Sequence, residues 1–251
     1  MDFGIRGKRA AVAAASAGLG LASAQALAAE GVRVALCGRD SARLDEAVRS
    51  ITDAGGDAVG IAGDLSTAAG GGRFVADAID ALGGVDILVP NAGGPPAGGF
   101  GSIDLELYGP AIEQNLLSTV AMCAAAVPAM REQGWGRVVA ITSISVRQPI
   151  EGLILSNTAR AGTTGFLKTL ALEVAGDGVT VNSVQPGSHA TDRLRSIHGG
   201  DLTEAARQIP TREVGRPEDF GWVVAFLCSD QARFITGAAI PVDGGAHRGL
   251  Q

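Results

Sequence analysis

The sequence predicts an α/β fold, a doubly wound parallel sheet with helices on both faces. Three observations predict it. Short β-branched or apolar runs alternate with longer, alanine-rich amphipathic stretches along the whole chain, and this alternation calls for crossover connections between parallel strands. The short runs are apolar nearly throughout rather than at every second residue, as strands buried on both faces must be. No Pro- or Ser-rich linker and no internal repeat interrupts the pattern, so residues 1–251 are expected to form a single domain, a length at which α/β folds often remain one unit.

Strands are expected at 9–14, 32–37, 58–62, 86–89, 137–141, 180–184 and 239–242. Helices are expected at 20–30, 42–53, 71–82, 106–131, 158–175 and 217–228. Residues 93–101 (GGPPAGGFG) are loop by composition. Residues 188–210 are polar and weakly patterned, either a mobile insertion over a pocket or plain surface helix.

Hydrophobic residues make up 46% of the chain and charged residues 18%, so a large core can form. The 37 glycines carry no collagen-like period and belong in turns and close backbone approaches. A net charge of −6, with the basic residues dispersed, speaks against a nucleic-acid or anionic membrane surface as the main partner. No apolar run could span a bilayer, and the opening MDFGIRGKRAAV lacks the apolar stretch of a secretory signal. Cys37, Cys123 and Cys228 are odd in number and lack metal or redox spacing, which suits buried thiols in a reducing compartment. The expected location is the cytoplasm, and no metal site is expected.

The first strand runs into Ala13-Ala14-Ala15-Ser16-Ala17-Gly18-Leu19-Gly20, and a helix follows. Ser16, Gly18, Leu19 and Gly20 thus form a strand-to-helix turn whose backbone N–H groups can approach a pyrophosphate, aided by the helix N-terminus. In this context the fold is of the Rossmann dinucleotide-binding type. The second strand ends at Gly38-Arg39-Asp40, about 20 residues on, where the adenosine ribose lies in such folds. NAD binding favours an acidic residue at that tip. Arg39 instead suits charge-assisted bonds to a 2′-phosphate, favouring NADP over NAD, although a solvated arginine would also explain it. Asp40 is expected to cap the next helix.

Further residues resemble the short-chain dehydrogenase/reductase family over nearly the whole chain. Gly18-x-Gly20 matches the end of its glycine motif, with Ala13 and Ala14 replacing the opening Thr-Gly. Two alanines there are expected to be tolerated only if Ala14 keeps φ negative. Asp64-Leu65 after the third strand resembles the adenine-contacting pair. Asn91-Ala92-Gly93 resembles the family's Asn-Asn-Ala-Gly, with Pro90 at its first position. Asn115 and Ser143 match the catalytic asparagine and serine. Asn182 to Gly187 and Thr191 match the Asn-x-x-x-Pro-Gly-x-x-x-Thr segment, so Pro186, Gly187 and Thr191 are implied to hold the nicotinamide. Residues 215–219 and 235–245 match the C-terminal pattern.

The family's Tyr-x-x-x-Lys falls on Ser156-Asn157-Thr158-Ala159-Arg160, and the only tyrosine of the chain is Tyr108. The resemblance implies hydride transfer between nicotinamide and a carbonyl or alcohol carbon, with Ser143 steadying the oxyanion and Asn115 a water chain. Arg160 can keep the positive charge and ribose contact but stays protonated. Ser156 is shorter than tyrosine and far less acidic than a phenol near pKa 10, so a water held by Ser156 and Arg160 is one replacement donor. His189 is another, or else a surface histidine. Arg147 is expected near the pocket mouth, either binding an acidic substrate or solvated.

Three functions stay open: an NAD(P)-dependent oxidoreductase on a carbonyl or alcohol, a nucleotide-binding relative with little redox activity, and a non-redox enzyme on the same scaffold. Halohydrin dehalogenases are of the last kind; Ser143 and Arg160 fit their pattern in part, whereas Gly18, Gly20 and Arg39 do not favour it. The small-molecule substrate would be contacted by 93–100, 145–155 and 188–210, where Ile150, Leu153, Ile154 and Leu155 mix with Arg147, Arg193 and Arg195. The resemblance also implies a homo-oligomer, tetramer or dimer, through helices 106–131 and 158–175. Small residues such as Ala121, Ala124, Ala125 and Ala126 suit that interface or burial within one chain.

Overall fold

The computed structural model describes residues 2–197 and 199–249. Seven parallel strands form one sheet in the order β3-β2-β1-β4-β5-β6-β7. They are β1 (Arg9–Val12), β2 (Arg33–Gly38), β3 (Asp57–Ala62), β4 (Ile87–Val89), β5 (Gly136–Ile141), β6 (Val179–Pro186) and β7 (Ala239–Val242). The expected doubly wound α/β architecture is therefore the observed one. Strand order reverses between β1 and β4, and the crevice outside the carboxyl ends at such a switch point is where ligands bind in open α/β sheets.

Two apolar layers cover the sheet. Val12, Leu36, Val89 and Val139 face α1 (Gly18–Ala29), α2 (Ser41–Thr52) and α9 (Pro217–Cys228), meeting Leu27, Leu44, Phe220 and Val224. Ala11, Ala35, Leu88 and Val138 face the other way, onto α3 (Ala68–Leu82), α5 (Ser118–Glu132) and α6 (Ile154–Val174), where Phe74, Met122 and Leu167 pack. Neighbouring strand residues thus serve opposite layers, and β5 is buried at all six positions. The three cysteines lie buried among these layers, and burial pushes each thiol up to about 12. Among the described residues, no helix is long and apolar enough to cross a membrane.

Three expectations need correction. The helix expected over 106–131 is broken into a 3₁₀ turn (Leu105–Leu107), α4 (Tyr108–Ile112), a π turn (Glu113–Leu117) and α5. Side-chain hydroxyls take up the displaced carbonyls: Ser118 donates to Gln114, and both Thr119 and Thr163 donate to Asn115. The first strand ends at Val12 rather than residue 14, because Ala14 turns to φ +47°. That left-handed backbone overturns the expectation of a negative φ. Among the described residues of 188–210 two short helices form, α7 (Asp192–Ile197) and α8 (Thr203–Gln208), in keeping with the surface-helix alternative.

Candidate active site

The phosphate turn is built from backbone and bare glycines. α1 opens with Ala17, which provides no side-chain cap, so its first N–H groups stay free for a ligand. By contrast Asp40 caps α2, as expected, by accepting from Arg43 N at 3.0 Å, and Thr67 caps α3. Gly18 has φ +59°, a conformation that costs glycine little. A Cβ on Gly20 would collide with the Ala14 carbonyl, and one on Gly38 would lie 2.8 Å from the Ser16 Cβ. This uncapped, glycine-lined cradle fits a dinucleotide's pyrophosphate.

A cavity of about 590 Å³ runs from this turn across the sheet's carboxyl edge. Gly18, Leu19, Gly20, Arg39, Asn91, Ala92 and Gly93 line it at one end. Ser143, Ser156, Arg160, Pro186 and Gly187 line it toward the other, and Thr191 reaches back over the turn, its Cγ2 3.4 Å from where a Cβ on Gly18 would lie. A smaller cavity of about 180 Å³ adjoins it and shares Arg39, Ala92 and Gly93; Ser16, Asp64 and Leu65 complete its wall. Asp64 turns back to accept from the Ser66 hydroxyl (2.8 Å) and amide (3.0 Å), and these bonds hold its carboxyl below the usual range.

Ser143 begins a 3₁₀ turn after β5, and its Oγ accepts from Ser145 N at 3.1 Å. Ser156 and Arg160 stand one turn apart on α6, on one helical face. Arg160 is only 9% exposed. Its Nη1 donates to the carbonyls of Ile141 (3.2 Å) and Thr142 (3.0 Å), its Nη2 to that of Ala92 (3.3 Å). Burial, with a smaller contribution from Arg193, pushes its pKa down to about 10, so it remains a cation at neutral pH.

Asn115 lies apart from the cavity wall, buried in the π turn. Its Nδ2 donates to Ala111 O, and its Oδ1 has no protein partner. Such an orphaned buried acceptor suits an ordered water. His189 is neither at the cavity nor on the surface: it is buried, its Nδ1 is 3.2 Å from Gly187 O, and its ring meets Phe220 edge-on. Burial lowers its pKa, so the ring is neutral at pH 7. Arg147 is exposed but leans over the sheet edge, with Nε on Gln185 Oε1 (3.1 Å) and Nη2 on Ala239 O (2.9 Å). Arg43 and Asp192, which the sequence did not single out, meet in an ion pair of 2.7 Å across the cavity's flank.

A family model described as Enoyl-(Acyl carrier protein) reductase matches residues 13–247. The human protein named Dehydrogenase/reductase SDR family member 4 is 35% identical over 95% of this chain and 87% of its own length. The chain belongs to the short-chain dehydrogenase/reductase family. An acetoacetyl-CoA reductase from Cupriavidus necator is 34% identical, over 92% of this chain and 95% of that protein. L-Sorbose reductase from Gluconobacter frateurii, solved with NADPH and L-sorbose, superposes with a TM-score of 0.92 at 33% identity, covering 100% of both chains. A 3-oxoacyl (acyl-carrier-protein) reductase from Agrobacterium tumefaciens C58, solved with NADP, gives 0.91 at 33% identity over 97% of this chain and 96% of that one. As a member of this family the chain is an oxidoreductase homologue with a Rossmann-like sheet.

Proposed function

We propose that the chain is an NADP-dependent reductase or dehydrogenase of a carbonyl or alcohol substrate, a single domain spanning 1–251. One observation carries the reading: a single cavity joins the phosphate turn and Arg39 to Ser143, Ser156 and Arg160. Relatives solved with NADPH or NADP support the choice of cofactor. Arg39 holds the 2′-phosphate, Asp64 and Leu65 the adenine, and Asn91–Gly93, Pro186, Gly187 and Thr191 the nicotinamide end. The nicotinamide, when bound, supplies or accepts the hydride.

Ser156 and Arg160 stand where the family carries tyrosine and lysine. Ser143 donates to the carbonyl oxygen as negative charge grows on it, and the Arg160 cation stabilises that charge. The proton comes from a water between Ser143, Ser156 and Arg160, because no tyrosine, histidine, lysine or cysteine lines the cavity among the described residues. The same observation favours a second reading, a nucleotide-binding protein with little redox activity. NADPH oxidation against a panel of ketones and aldehydes separates the two; nucleotide binding without turnover of any of them would establish the second. Arg39→Ala is expected to weaken NADPH binding tenfold or more, roughly the worth of a charge-assisted contact, while leaving NADH unchanged. Equal loss for both nucleotides would remove Arg39 from the 2′-phosphate.

The protein is further proposed to act in the cytoplasm as a homotetramer or dimer. Leu105 and Leu117, beside α4 and α5, and Leu172 on α6 are exposed on the elements that the oligomer would pair. Sedimentation as a monomer at micromolar concentration would overturn that assembly.

A further inference from the structure

Charge is unbalanced at the inner end of the large cavity. Arg160 is buried there on three carbonyl dipoles, and no carboxylate among the described residues pairs with it. A buried cation solvated by dipoles alone leaves a strong demand for a counter-ion. Arg193 on α7 lines the same cavity, and its charge adds to burial in pushing the Arg160 pKa down. Its Nη1 donates to Gly94 O at 3.3 Å, and its guanidinium packs against the bare Gly94, where a Cβ would lie 2.7 Å from Arg193 Nη2. The one carboxylate on the cavity wall among the described residues, Asp192, is already paired with Arg43. In the function proposed above, Arg39 and the glycine turn serve the cofactor's phosphates, and a reduced nicotinamide brings no negative charge to Arg160 and Arg193. The missing anion therefore falls to the substrate.

We propose that this end of the cavity binds an oxo acid, with Arg193 holding the carboxylate and Arg160 facing the carbonyl oxygen. The planar guanidinium of Arg193 suits a two-point contact with a carboxylate, and its exposure leaves it open to an incoming anion. The assignment deepens the reductase reading and rests on it for the carbonyl chemistry, not for the anion. A hydride from NADPH adds to the carbonyl carbon and a proton from water adds to its oxygen, so oxo acid, NADPH and H⁺ give hydroxy acid and NADP⁺.

The test is a calorimetric titration of the NADP⁺-saturated protein with acetoacetate and levulinate, and with their methyl esters. The acids are expected to bind about tenfold or more tighter than the esters. Arg193→Met erases that preference and Arg193→Lys keeps part of it. Arg195→Met, an exposed neighbour outside the cavity wall, keeps all of it. Equal binding of acids and esters overturns the proposal. So does an Arg193→Met protein that keeps the acid preference and instead loses NADPH affinity about tenfold, which would give Arg193 to the pyrophosphate. Acid-selective binding without NADPH oxidation would uphold the anion site and remove the reductase reading.

Discussion

The two ends of the large cavity are made of different materials. At the pyrophosphate turn the wall is backbone: a left-handed turn at Ala14 and Gly18, an uncapped α1, and a glycine where the chain crosses itself. At the other end it is side chain: Ser143 after β5, Ser156 and Arg160 on α6, and Arg193 on α7. A backbone site depends on main-chain path and tolerates exchange of Thr-Gly for Ala-Ala so long as the path holds. A side-chain site depends on which atoms arrive, so exchanging its side chains would change its chemistry without disturbing the fold. The difference separates binding from turnover, and each end can be altered to show it.

The largest effect is expected from Gly20→Val at the backbone end. The Cβ of Gly20 would collide with the Ala14 carbonyl, a contact that only backbone movement relieves. Valine adds two methyls to that clash. Docking of α1 onto β1 would shift, and NADPH binding is expected to weaken by more than about a hundredfold, in line with the 1–3 kcal/mol typical of overpacking plus lost phosphate contacts. Fluorescence titration with NADPH reads the affinity and circular dichroism checks that the sheet survives. Retained affinity would show that the turn is no phosphate site.

The next effect is at the side-chain end. If the departure at Ser156 and Arg160 concerns proton transfer alone, Ser156→Tyr combined with Arg160→Lys restores a phenol and an ammonium to the same helical face. Turnover of a carbonyl substrate is expected to rise by about a hundredfold, the lower range for a positioned general acid, while NADPH affinity stays within about twofold. Unchanged or lower turnover would show that the Ser-x-x-x-Arg site already has an adequate proton route, or that Arg160 is needed where it stands.

The same contrast explains what could be read from the sequence. Glycines at a strand-to-helix turn and apolar strands leave periodic, local signatures, so the expected strands and the turn at 16–20 lie within a few residues of the observed ones. The π turn at Glu113–Leu117 has no local signature, because the hydroxyl of Thr163, 48 residues away from Asn115, helps to hold it open. His189 departs from both expectations for a related reason: sequence distance from Gly187 does not reveal that the ring is buried against Phe220. The ion pair of Arg43 with Asp192 joins positions 149 apart, beyond the reach of any spacing rule.

The smallest effect probes the backbone end again, at Ala14. Its φ of +47° is left-handed, which costs an L-residue with a Cβ roughly 1–2 kcal/mol. Glycine removes that strain but makes the unfolded chain more flexible, at a cost of about 0.4–1 kcal/mol. The strain is the larger quantity, so Ala14→Gly is expected to stabilise the protein by about 0.5–1 kcal/mol, a rise of about 1–4 °C in Tm for a chain of this size. Binding of NADPH should hold or tighten slightly, since the turn keeps its path with less strain. Thermal unfolding with and without NADPH measures both. A fall in Tm would mean that Ala14 rests at negative φ, where alanine is the better residue, and the path assigned to the phosphate turn would then have to change.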